Sequence, residues 1–291
     1  MRYDAHETLT APARPSAHPL RLAGGVVLVI LLYLPLAYAY ASFAPGALGY
    51  DGSASLLEGR APLAVLILLF GFTFLIFSLG MTLRLVHQRG LGSLIGPSGP
   101  ALAQFLRCLR YLLPLYLVLT LMPMPADYQL SPNLSPGRWI LWLPLALPCV
   151  LIQTSAEELV FRGYLQSQLA ARFRSPVIWV GLPSALFALF HVNPQMPAGE
   201  TWAVMIWAGF FGVAAADLTA RTGTLGPALA LHFINNVFAI LVTAPAGQLD
   251  GLALYTFPLP LGEAGFAWYV LPIELIFTLC AWLTARIALR C

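Results

Sequence analysis

Eight apolar runs dominate this chain, and each is long enough, or nearly so, to cross a lipid bilayer. They cover residues 22–43, 63–85, 105–122, 139–173, 176–191, 202–220, 225–242 and 266–289. A span takes about 20 apolar residues, because a helix rises about 1.5 Å per residue and the hydrocarbon core is about 30 Å thick. Such runs must be helical, since hydrocarbon offers no partner to an unpaired backbone N–H or C=O. The expected fold class is an all-α polytopic membrane protein with about eight transmembrane helices. Composition agrees: 59% of residues are hydrophobic and 9% charged, against about 25% charged in soluble domains.

All fifteen basic residues are arginine. With the N-terminus inside, eight spans put thirteen of them on or toward the cytoplasmic side and leave Arg60 and Arg138 outside. That bias predicts cytoplasmic N- and C-termini. The net charge of +3 then reports topology. The expected partners are the lipid bilayer and a membrane-associated protein or peptide substrate, with no nucleic acid. Residues 1–20, with Pro12, Pro15 and Pro19 among polar groups, read as a disordered cytoplasmic tail. Residues 21–138 read as N-terminal transmembrane helices, 139–245 as a catalytic transmembrane core, and 246–291 as a C-terminal loop and last helix. The first run is too long for a signal peptide and lacks a convincing cleavage pattern, so it is expected to stay as a helix.

Within the fourth run stand two adjacent carboxylates, Glu157 and Glu158. An ionisable group at membrane depth costs roughly 3 kcal/mol on insertion scales, so it is a functional candidate by default. Glu158 and Arg162 are four apart, with the acid first, the favourable order for an ion pair on one helix face. Glu157 lies about 100° around the helix and is left free for chemistry. The competing reading is a buried structural pair with an accidental neighbour.

Two of the five histidines, His191 and His232, lie in apolar runs. Phe187 precedes His191 by four, and Asn236 follows His232 by four, so each histidine shares a helix face with a partner. Counted from the turn at 172–176, Glu157 and His191 are each roughly 22 Å along their helices. His232 and Asn236 are roughly 15 and 21 Å from Thr222. All four are expected near one level, although Asn193-Pro194 directly after His191 means that the fifth helix stops inside the membrane or the fourth protrudes.

Glu157-Glu158-Leu-Val-Phe-Arg162, then Phe187 with His191, then His232 with Asn236 resemble the three motifs of the CAAX-protease and bacteriocin-processing (ABI) family of intramembrane proteases. The resemblance covers roughly 139–242; elsewhere the match is only in hydrophobicity. It implies endoproteolysis in the membrane, with Glu157 and His191 at the water and His232 and Asn236 at the scissile carbonyl. The chemistry is sound from below, since amide hydrolysis needs a base for water and donors for the oxyanion. Glu157 serves as base, His191 orients the water, His232 and Asn236 donate to the oxyanion, and Arg162 holds Glu158. No cofactor is favoured. A divalent metal such as zinc is the alternative, with Glu157, His191, His232 and Asn236 as candidate ligands, although a His-Glu-x-x-His signature is absent.

Two further functions compete: an ion- or proton-coupled transporter using the same Glu/His cluster, and an inert immunity or scaffold protein of the same fold. A transporter of this kind should show an inverted repeat, and the first 138 residues hold no second acidic motif. The arginine-, alanine- and leucine-rich composition points to a bacterial inner membrane. The remaining features are read structurally. Cys108, Cys149, Cys280 and Cys291 have no metal or redox spacing and are expected to be free thiols. The loop from His87 to Gln104 reads as a surface linker, Asp217 and Arg221 as an interfacial pair, and Glu274 as the donor or acceptor of an interhelical hydrogen bond.

Overall fold

The computed structural model describes residues 3–50, 56–122, 129–192, 196, 198–258 and 266–291. Its long helices are α1 (Pro19–Ala47), α2 (Pro62–His87), α3 (Ser98–Thr120), α4 (Pro136–Arg172), α5 (Pro176–Leu189), α6 (Ala198–Thr222), α7 (Gly226–Val242) and α8 (Phe266–Leu289). They follow the eight apolar runs in order. The chain is therefore an integral membrane protein, with six helices long and apolar enough to cross and two shorter ones, α5 and α7. Proline sets several of the starts: Pro19, Pro62, Pro136, Pro176 and Pro227 stand in first turns. There a missing N–H costs nothing and the fixed φ is already helical.

Helix lengths answer the question raised by the fourth and fifth runs. With 37 residues, α4 rises roughly 55 Å, well beyond a hydrocarbon core of about 30 Å. Helix α5, with 14 residues, rises only roughly 21 Å. So α4 protrudes and α5 also stops short, leaving Phe190 and His191 in a turn. Asn193-Pro194 lies outside the described residues.

Helix α6 is the hub, packing against α5, α7 and α8. Ala214, Ala215 and Ala216 are buried along it, and such small side chains let helices approach closely where lipid supplies no hydrophobic drive. At the end opposite the termini a small sheet ties the chain together. It has strands β1 (Ser131–Pro132), β2 (Thr243–Pro245) and β3 (Tyr255–Phe257) in the order β1-β3-β2. Beside it Trp139 Nε1 donates to the Leu241 carbonyl at 2.7 Å, fixing α7 against the start of α4.

Two expectations are corrected. Residues 4–16 are not a disordered tail. They form the helical turns Asp4–His6, Glu7–Thr10 and Ala11–Ser16, with His6, Leu9, Ala13 and Ser16 buried. Leu9 and Ala13 are four apart and share one face, and Pro12 sits in a first turn where it breaks no hydrogen bond. Tyr3 Oη donates to Asp217 Oδ1 at 2.8 Å, and Trp179 packs on Tyr3 and His6 with ring centroids 5.4 and 4.9 Å away.

The loop after α2 is likewise more than a surface linker. Its turn Gly92–Ile95 buries Leu94 completely, and the Ile95 carbonyl accepts from Leu225 N–H at 3.0 Å. Leu94 lies so close to α4 that a Cβ on Gly163 would stand 2.8 Å from the Leu94 Cβ, which explains a glycine there. Asp217 and Arg221 pair at 2.7 Å, and Asp217 also accepts from Trp282 Nε1 at 3.0 Å. That one carboxylate joins the N-terminal turns, α6 and α8, so both termini lie at the same end of the bundle. The four cysteines are free.

Candidate active site

Helix α4 presents Gln153, Glu157, Glu158 and Arg162 over three turns, and α7 presents His232 and Asn236. Both stretches run into π-helical turns, at Leu159–Gln166 and Val237–Val242. Such wider turns recur at functional sites, where they re-aim the side chains that follow.

The polar groups form one connected chain. Arg162 Nη1 donates to Glu158 Oε1 at 2.9 Å, with both side chains 1% exposed. The same oxygen is 2.8 Å from His232 Nδ1; a carboxylate only accepts, so the ring carries its proton on Nδ1. Across the ring, His232 Nε2 faces Glu157 Oε2 at 3.6 Å. The other Glu157 oxygen accepts from Gln153 Nε2 at 2.7 Å, and Gln153 Oε1 accepts from Asn236 Nδ2 at 2.7 Å. Asn235 Nδ2 donates to Asn236 Oδ1 at 3.2 Å, and Tyr116 Oη to Asn235 Oδ1 at 3.2 Å. Glu157 is the more open carboxylate, 17% exposed against 1% for Glu158.

An aromatic wall closes one side. Phe187 is fully buried, with its ring 4.7 Å from that of His191 and 5.9 Å, edge-on, from that of His232. The Arg162 guanidinium lies 4.5 Å over the same ring, a cation–π contact strengthened by desolvation. His191 Nδ1 donates to the Phe187 carbonyl at 2.9 Å, leaving Nε2 as an acceptor when the ring is neutral. The structure thus joins Glu157, Glu158, Arg162, His232 and Asn236 directly or through Gln153. Among the described residues His191 reaches them through Phe187 and not by a hydrogen bond.

Sequence reasoning missed Gln153, Asn235, Tyr116 and Tyr33. Gln153 stands four before Glu157, the spacing that paired Glu158 with Arg162, so its signal was present. Asn235 adjoins a motif residue. Tyr116 on α3, and Tyr33 on α1, which lies within electrostatic reach of Glu157, come from segments with no motif. Glu274 also departs from expectation: it makes no hydrogen bond among the described residues.

Residues 139–238 match the family described as type II CAAX prenyl endopeptidase, Rce1-like. This segment is similar to that family. It holds every residue of the cluster except Tyr116 and Tyr33. A similar protein is the uncharacterized protein YyaK of Bacillus subtilis (strain 168), 30% identical over 155 residues, which are 53% of this chain and 51% of the relative. The chain spans about half the length of that curated relative. No solved structure matches.

In the matched segment both histidines have Nδ1 committed, to Glu158 and to the Phe187 carbonyl, so only their Nε2 atoms remain for chemistry. The Asn236 amide has one N–H in use and one to spare. Among the described residues no three His, Cys, Asp or Glu side chains are grouped to hold a metal ion, and the Asn236 oxygen is already taken by Asn235. Of the four candidate ligands, Glu157 and His232 face each other at 3.6 Å. What they offer is one accessible carboxylate beside one imidazole, each braced from behind.

Proposed function

We propose that this protein is an intramembrane endopeptidase that cleaves a membrane-associated bacterial protein or peptide with water activated by Glu157. The observation that carries this reading is Glu157 Oε2 facing His232 Nε2 at 3.6 Å, with Gln153 behind one and Glu158 behind the other. Beyond 3.5 Å a shared water is the natural bridge between polar groups.

The reaction runs as follows. Glu157 takes a proton from water, whose second hydrogen is held by His191 Nε2, and the water oxygen adds to the scissile carbonyl carbon. The carbonyl π electrons move to oxygen. That oxyanion accepts from the Nε2–H of a protonated His232 and from the spare N–H of Asn236. With His232 protonated, Glu157, Glu158, Arg162 and His232 sum to zero. Proton transfer to Glu157 leaves those four groups with one net positive charge, and the oxyanion formed beside the imidazolium balances it. Collapse breaks the C–N bond, and Glu157 returns its proton to the leaving amine. Glu158 and Arg162 orient the imidazole.

The family description supports a lipid-anchored substrate, and the composition supports a bacterial inner membrane. The test uses the purified protein in lipid vesicles with membranes from a strain lacking it, reading new N-termini by chemical labelling. Glu157→Gln should lose at least about 100-fold of the cleavage while inserting and folding normally. Dialysis against a strong chelator should leave activity unchanged. Full activity of Glu157→Gln would overturn the assignment; activity that vanishes with chelator and returns with stoichiometric zinc would overturn only the metal-free route.

A further inference from the structure

Glu274 lies on α8 between Leu271 and Thr278, three residues after one and four before the other. Both neighbours are buried, so the three share the helix face turned into the bundle. Glu274 is nonetheless exposed. An inward position that reaches the surface marks an opening between helices at that level.

Both walls of the opening lead to the candidate active site. On one side Trp207 Nε1 donates to Thr278 Oγ1 at 3.0 Å, and the Trp207 ring stands 6.4 Å from that of His191. On the other, Tyr116 of α3, a helix packed against α8, lies within electrostatic reach of Glu274. Tyr116 begins the hydrogen-bonded chain that runs through Asn235, Asn236 and Gln153 to Glu157. No cation or hydrogen-bond donor pairs with Glu274 among the described residues. A bare carboxylate facing hydrocarbon would cost roughly 3 kcal/mol on insertion scales, which favours a hydrated entrance over contact with lipid.

We propose that Glu274 is a cation-binding subsite at the lateral entrance, which takes the ammonium or guanidinium of a lysine or arginine near the scissile bond of the substrate. The subsite rests on the endopeptidase reading for its purpose, not for its test. Tyr116 lies within electrostatic reach of it, and Val270 and Phe277 lie one turn to either side of the carboxylate.

The test is made in full-length protein lacking its four native cysteines and carrying Glu157→Gln, so that nothing is turned over. A single cysteine is introduced at Val270→Cys and, separately, at Phe277→Cys. A trimethylammonium methanethiosulfonate should label it at least about fivefold faster than the sulfonate analogue. Glu274→Gln should erase that bias and Glu274→Asp keep it. An N-palmitoylated peptide carrying arginine should protect the cysteine better than the same peptide with citrulline, and only when Glu274 is present. Two unreactive cysteines, labelling without charge bias, or equal protection by both peptides would each overturn the subsite. Intact bias here, together with no cleavage by protein that keeps Glu157, would instead sink the endopeptidase reading alone.

Discussion

Glu158 and Arg162 are both 1% exposed and meet at 2.9 Å, yet Glu158 Oε2 and Arg162 Nη2 have no hydrogen-bond partner among the described residues. A buried pair of this kind gains little over apolar replacements, but removing one member strands the other. Arg162→Met should therefore destabilise the protein by about 3–5 kcal/mol, and adding Glu158→Gln should recover part of it. Thermal unfolding of the single and double variants in detergent checks this; additive losses would show that the pair is not coupled. Gln153 acts differently, because it bonds Glu157, the more exposed of the two carboxylates and the base of the proposed reaction. Gln153→Leu removes a hydrogen bond to a charged group, worth about 1.5–3 kcal/mol, so kcat should fall about 10- to 100-fold with KM little changed. An unaltered kcat would remove Gln153 from the positioning machinery.

At the scale of elements, α4 owes its length to packing at both ends: Trp139 is bonded to α7 beside the small sheet, and its far end is covered by the N-terminal turns. Those turns carry a titratable group. Burial lowers His6 from the usual 6.5 to about 4, and its Nε2 has no partner among the described residues. A depressed histidine is neutral when docked and charges when released, so docking is most stable above pH 6.5 and weakens as pH falls toward 4. That difference, converted at about 1.4 kcal/mol per pH unit, gives an upper bound on the order of 3 kcal/mol. Hydrogen exchange should show amides of the N-terminal turns losing protection across that interval, and His6→Phe should flatten the response. Protection that persists unchanged at pH 4 would count against it.

For the whole molecule, the two termini share one end, held together through Asp217, while Arg60 and Arg138 lie at the other. We assign the shared end to the cytoplasm, because a strong arginine excess is retained on that side. An epitope added after Cys291 should be digested by external protease in inverted inner-membrane vesicles and spared in spheroplasts; the reverse pattern would invert the topology.

The chain's local pattern was enough for the number and order of helices, because a bilayer leaves an apolar segment no other way to pair its backbone. It was also enough for the Glu158–Arg162 pair, which depends only on helix periodicity. The partners of His232 and Asn236 were decided elsewhere. Their four-residue spacing suggested a shared cavity, but His232 Nδ1 bonds Glu158 and Asn236 bonds Gln153, both on α4, 74 and 83 residues away in sequence. The N-terminal turns make the same point: proline-rich composition read as disorder, and what orders them is a surface built by Trp179 and Asp217. Periodicity reports which side of a helix is apolar, whereas the partner that side meets is set by how eight helices pack. That choice is made by the tertiary structure, since no neighbouring residues encode a contact that closes only when distant helices meet.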